Sequence, residues 1–211
     1  MKKIFTILVV SFLLLSCDEP KLQRYYFQMD DFSKSKTYIY VDQNKPDNII
    51  HFKMYYKIVD SDTIFTSEAL NPDGTPIEVF VEKIDDSKST MTDYYFVYYD
   101  SQGKKEDVFS DKIKTEVYSY KQSSYPLVWK VEVGTQTFTK KRSILKMDST
   151  IEVLGHTLKC IVFKDEFKIE DENGLTEFFQ ESYYADGMGM IGYKRFISDD
   201  NVMDYKLKEI K

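Results

Sequence analysis

Short apolar stretches with a two-residue alternation recur along the chain, separated by clusters of Asp, Asn, Gly, Pro and Ser. The stretches cover residues 37–41, 49–59, 63–70, 77–84, 94–99, 108–109, 113–120, 127–133, 137–145, 151–154, 158–167, 175–185, 190–197 and 203–210. In 77–84 the alternation is clear: Ile77, Val79 and Val81 face one way, and Glu78, Phe80 and Glu82 the other. Asn71-Pro72-Asp73-Gly74 and Asp100-Ser101-Gln102-Gly103 are strong turn signals, and punctuation of this kind about every 8–12 residues marks an all-β fold. Leu175, Phe178, Phe179 and Ser182 would fit a helical stripe, but their paired aromatics also suit a strand, and Gly187 and Gly189 follow closely. No linker or repeat divides the chain. The pattern predicts one all-β domain, a curved antiparallel sheet or partly open barrel of about ten or more strands.

Aromatic residues come in adjacent pairs: Tyr55-Tyr56, Tyr94-Tyr95, Tyr98-Tyr99, Phe178-Phe179, Tyr183-Tyr184. Neighbours on a strand point to opposite faces, so one ring of each pair can enter the core while the other faces outward. A curved sheet would then carry an aromatic lining on its concave side.

Composition narrows the picture. With 33 aromatic residues and 42% hydrophobic residues in 211, the chain can bury a sizeable core and is neither a disordered tail nor a disulfide-stapled miniprotein. The formal charge of -6 provides no basic footprint for nucleic acid.

The N-terminus carries the strongest signal of location. Met1-Lys2-Lys3 is followed by an apolar run, residues 4–15, too short to span a bilayer, which takes about 20 residues. This is the layout of a secretory signal peptide. The run ends in Leu14-Leu15-Ser16-Cys17, which resembles the lipobox of bacterial lipoproteins. The resemblance implies cleavage between Ser16 and Cys17, and acylation of Cys17. Residues 1–16 are then a signal peptide, 17–24 a lipid-anchored tether and 25–211 the all-β domain. Losing Lys2 and Lys3 takes the charge from -6 to -8, so lipid rather than electrostatics must hold the protein to a membrane. Asp18 resembles an inner-membrane retention signal of enteric bacteria, and Asp18-Glu19 resembles the acidic surface-export signal of lipoproteins in the Bacteroides–Flavobacterium group; the Lys-, Tyr-, Phe- and Asp-rich composition favours the second, which implies the outer membrane, on its periplasmic or surface face.

Near the C-terminus, Gly187-Met188-Gly189-Met190-Ile191-Gly192 matches a dinucleotide-binding fingerprint literally. The context fails, because that site needs a strand before it, a helix after it and a βαβ unit around it. The segment instead resembles a recurrent pattern of uncharacterised envelope lipoproteins. The matching residues are Gly155 and Cys160, in Gly155-His156-Thr157-Leu158-Lys159-Cys160, and Tyr183, Tyr184, Ala185, Gly187 and Gly189. The resemblance implies a curved antiparallel sheet like the Lol-type half-barrel carriers, and no chemistry.

No nucleophile elbow, phosphate loop, metalloprotease motif or paired-cysteine motif occurs. Cys160 reads as a small core residue; His156 shares its face but lies about 13 Å along a strand. Two scattered His and one such Cys make no metal set, and no cofactor is expected. Asp85-Asp86, Asp165-Glu166 and Glu170-Asp171-Glu172 read as solvated turns and strand ends. The leading functional reading is a non-enzymatic binding or scaffold module of the envelope. Its partners are the membrane through Cys17 and an apolar ligand or envelope protein. Two alternatives stand: a carrier of lipid or another apolar ligand in a half-barrel, and an envelope hydrolase using two carboxylates that converge in a cleft.

Overall fold

A computed structural model describes residues 22–99, 102–103, 105–110 and 113–211. Its strands are β1 (Lys36–Asp42), β2 (Ile49–Val59), β3 (Asp62–Leu70), β4 (Pro76–Ile84), β5 (Lys88–Tyr99), β6 (Lys105–Phe109), β7 (Thr115–Ser119), β8 (Leu127–Val133), β9 (Gln136–Val153), β10 (His156–Asp171), β11 (Gly174–Ala185), β12 (Gly189–Ser198) and β13 (Asn201–Ile210). They form one antiparallel sheet in the order β6-β5-β4-β3-β2-β1-β13-β12-β11-β10-β9-β8. The predicted all-β fold holds. Two up-and-down meanders meet where β1 pairs with β13, the register running from Tyr38 opposite Ile210 to Asp42 opposite Tyr205.

The chain crosses from one end of this sheet to the other through β7, which pairs with the first part of β5, while β6 takes the second part of the same edge. The sheet curls so far that its end strands approach. Ser110 bridges to Val133, Tyr94 of β5 meets Phe138 of β9, and Met91, Tyr94, Val117, Val131 and Val133 form one buried cluster. The result is a trough, rolled nearly round and not closed by a continuous ladder.

Several expected boundaries move: the strand expected at 94–99 begins at Lys88, the one at 108–109 begins at Lys105, and the one at 158–167 runs on to Asp171. Residues 137–145 and 151–154, expected as two strands, are parts of the single strand β9, which pairs with β10 along its length. The polar stretch between them, including Asp148 and Thr150, does not break the strand because an antiparallel sheet can leave one face in water.

The paired aromatics divide as the alternation predicts. Phe167 and Phe178 stack at 4.7 Å on the concave face, while Phe179 and Phe196 stack at 4.4 Å on the convex face. Tyr184 is buried inside, and Tyr183 turns away to donate to Glu181.

Residues 22–32 form a strap across one end of the trough. Leu22, in the stretch expected to be a polar tether, is fully buried; its N–H donates to the Tyr120 carbonyl, and its carbonyl accepts from the Tyr118 hydroxyl. Tyr26 donates to Glu82, and Phe27 stacks on Phe65. The turn between β11 and β12 is shaped around the strap: Gly187 N–H donates to the Arg24 carbonyl, and a Cβ on Gly189 would lie 2.3 Å from the Phe27 ring. Gly192 serves the same close packing, since a Cβ there would meet the Tyr205 carbonyl oxygen at 2.8 Å. The glycine fingerprint is therefore a packing device. The β4–β5 turn lies at the strap's end of the trough, and the β1–β2, β3–β4, β8–β9, β10–β11 and β12–β13 hairpins lie at the far end.

Candidate functional site

A row of polar side chains crosses the concave face. Arg142, Asp165, Gln180 and Arg195 stand opposite one another in register on β9, β10, β11 and β12, so all four point into the trough. Asp165 is the hub and is 0% exposed. Arg142 grips it with a two-pronged contact, Nε to Oδ1 at 2.6 Å and Nη2 to Oδ2 at 2.9 Å. The Ser182 hydroxyl donates to Oδ2 at 2.8 Å, and Lys140 Nζ stands 3.3 Å from the same oxygen. The row continues as Gln180 donates to Ser182 at 2.8 Å and accepts from Arg195 Nε at 3.0 Å.

Aromatic rings hold the cations. Lys140 lies over Phe167 and Trp129, Arg142 over Phe163 and Tyr184, and Arg195 over Phe178 and Tyr193, each within 5.4 Å of the ring centre. Facing them from β4, Glu78 accepts from the Tyr94 hydroxyl.

Burial sets the protonation states. Desolvation would raise the Asp165 pKa, but Arg142 and Lys140 together overcome it and hold the carboxyl well below the usual range. Lys140 pays for the same desolvation: burial, helped by Arg142 and Arg195 and opposed by Asp165, lowers its pKa to about 8. Burial raises the Glu78 pKa, against its Tyr94 hydrogen bond and the nearby Arg195 and Lys140.

This band forms part of the wall of a cavity of about 430 Å³ within the trough. The rest of the wall is mainly apolar and includes Phe52, Met54, Phe65, Phe80 and Phe138, with Tyr26 and Phe27 of the strap closing one side. The volume lies in the range of small-molecule sites, about 300–1,000 Å³. A second depression, of about 360 Å³, lies between the β9–β10 turn and β13; Gln43, Glu152, His156 and Lys206 are among its lining.

Asp165 corrects an expectation. Of the Asp165-Glu166 pair, expected to be solvated, only Glu166 is, paired with Lys141 and Lys164 at the surface. The signal that distinguishes Asp165 is its place in the alternation, between Phe163 and Phe167 on one face of β10. Lys140 and Arg142 share the inward parity of Phe138 in the same way, and two isolated cations on an apolar stripe imply a buried partner.

The residues singled out from sequence do not converge here. Ser16 and Cys17 lie outside the described residues. Gly155 makes the β9–β10 turn with φ of 75°. Cys160 is buried in β10, which pushes its thiol pKa up, while His156 is exposed at the start of that strand. Tyr183, Tyr184 and Ala185 end β11, and Gly187 and Gly189 turn it into β12. Among the described residues no group of three or more His, Cys, Asp or Glu could hold a metal ion. The two carboxylates of β4 lie four residues apart, about 13 Å along a strand, and Glu82 is committed to Tyr26 and Ser89.

No protein-family model matches the chain, and no curated protein does either. Solved structures do. A chain assigned as a lipoprotein from Parabacteroides distasonis superposes with a TM-score of 0.53 at 9% identity, covering 89% of this chain and 98% of that one. The fold is thus shared across almost the whole of both chains. An exported protein of Bacteroides fragilis with a YmcC-like fold aligns at a TM-score of 0.47, 11% identity and 84% and 94% coverage. The hypothetical lipoprotein YmcC of Escherichia coli aligns at 0.34, 8% identity and 83% and 84% coverage.

Proposed function

We propose that this protein is a lipid-anchored lipoprotein of the cell envelope, at the outer membrane, and that its trough is a non-enzymatic binding chamber for an apolar ligand. One observation carries the binding half: a cavity of about 430 Å³, mainly apolar, inside a sheet whose other regions are closely packed. The location rests on the signal-like run, on Ser16-Cys17 and on Asp18-Glu19. The lipoprotein assignment of the Parabacteroides distasonis neighbour agrees with it. Only four residues separate Cys17 from buried Leu22, five steps of extended chain or at most about 18 Å. An acylated Cys17 would therefore hold the strapped end of the trough close to the membrane.

The site's chemistry favours binding over hydrolysis. Paired-carboxylate catalysis needs two acids open to the same substrate. Here both oxygens of Asp165 are engaged by Arg142, with Ser182 and Lys140 holding one of them further, and Glu82, committed to Tyr26 and Ser89, lies about 13 Å along β4 from Glu78, so among the described residues of the cavity no two open carboxylates converge.

The test uses the full-length protein purified from its membrane and placed in lipid nanodiscs. Mass spectrometry should find Cys17 as the first residue, carrying acyl chains. The neutral probe N-phenyl-1-naphthylamine should show saturable fluorescence enhancement above that of protein-free nanodiscs, and Ile50→Trp, which fills the cavity, should abolish it. An unprocessed Met1 contradicts the anchor; enhancement unchanged by Ile50→Trp contradicts the chamber.

A further inference from the structure

We infer that the ligand of this chamber is a single-chain amphiphile with a carboxylate head, its apolar chain among the rings and methionines and its head between Lys140 and Arg195. This rests on the trough being a binding chamber and names what it selects.

The first argument is local charge. The cavity wall and Asp165 together carry three cations, Lys140, Arg142 and Arg195, and three acids, Asp165, Glu78 and Glu82. Glu82 lies about 13 Å along β4 from Glu78, toward the strap, where it accepts from Tyr26 and Ser89, so around Lys140 and Arg195 the local balance is three cations to two acids. A carboxylate placed there evens the local balance, and a counter-charge offsets the cost of charge in an apolar enclosure.

The second argument is which donors remain. Arg142 is spent on Asp165 through Nε and Nη2. Arg195 hydrogen-bonds through Nε to the neutral Gln180, rests on aromatic rings and acts on Glu78 through its charge. Its two terminal nitrogens can meet a carboxylate in the planar, two-pronged geometry suited to guanidinium. Lys140 lies beside the same Phe167 ring that Arg195 overlies, so both cations border one patch of wall. Its ammonium contacts Asp165 through a single hydrogen and has two more to give.

The third argument is the remaining wall. It is mainly apolar surface, with Phe52, Met54, Phe65 and Phe138 among its lining, and the hydroxyls of the lining Tyr26 and Tyr94 are already spent on Glu82 and Glu78, which suits an alkyl chain. If each heavy atom takes roughly the 30 Å³ of a liquid water, the cavity holds about fourteen.

The experiment photolabels the full-length protein in nanodiscs with a long-chain carboxylic acid bearing a mid-chain diazirine, beside its neutral methyl amide. Peptide mass spectrometry locates the labels. The acid is expected to label cavity residues such as Met54 and Phe138 at least about tenfold more efficiently than the amide. Arg195→Met should bring the acid down to the level of the amide and leave the amide unchanged, and Glu78→Gln should increase labelling by the acid. Equal labelling by acid and amide in the unaltered protein overturns the carboxylate assignment and leaves the chamber standing. Absence of label from the cavity with both overturns the two together.

Discussion

The two ends of the trough solve one problem in opposite ways. A rolled sheet must fill its concave face. At one end the protein uses its own chain: Leu22, Tyr25, Tyr26 and Phe32 are each at most 4% exposed, and Gly189, at the β11–β12 turn, clears room for Phe27. Farther in, the same face bears a row of charges and bounds a cavity. Buried ion networks are a poor way to gain stability, since desolvating each charge offsets most of what pairing returns. Closely packed rings serve stability at the strap; the charged band fits the recognition proposed above.

The contrast can be broken most severely at Asp165. Asp165→Asn leaves Arg142 and Lys140 without their counter-charge and should cost about 3–5 kcal/mol in urea unfolding, whereas the joint replacement Arg142→Met with Asp165→Leu should recover most of that loss. A cost below about 1 kcal/mol for the single change would mean that the network is not buried. At the strap, Phe27→Ala should cost about 2–3 kcal/mol, less than a fully buried ring because Phe27 is half-buried. Gly189→Ala should be destabilising in the parent and milder in the Phe27→Ala background, since the two share one contact.

A subtler effect is tied to pH. Lys140 faces Asp165 and Arg142 from its own meander, Arg195 from β12 and Glu78 from β4, and its pKa of about 8 lies below the ordinary 10.4. The unfolded chain therefore holds this proton more tightly, so the group's cost to stability is full below pH 8 and fades as pH rises toward 10.4. Relative to Lys140→Met, the unaltered protein should gain about 2 kcal/mol between pH 8 and 9.5. A difference that is flat across this window would show that Lys140 titrates normally.

Much of this fold is legible in the amino-acid sequence. Alternation and turn chemistry locate most of the strands; 49–59 and 127–133 match β2 and β8 end to end, because their flanking turns are strongly marked. The break expected within β9 fails because a solvated face tolerates Asp148 and Thr150 without ending the strand. The site is much less legible. Asp165, Gln180 and Arg195 are distant in sequence, and only the register of β10, β11 and β12 brings them into a row. The strap is hidden for a related reason: 22–32 lacks any period, since its burial comes from lying across the trough and not from belonging to the sheet.

The most direct test of the chamber is crystallographic: the full-length protein crystallised with a long-chain carboxylate brominated near its terminal methyl, with bromine located by anomalous scattering. The account predicts one bromine peak inside the trough among the apolar lining residues, with the carboxylate at Lys140 and Arg195. Bromine found only on the convex surface, or lattice-bound with the trough collapsed, would contradict it.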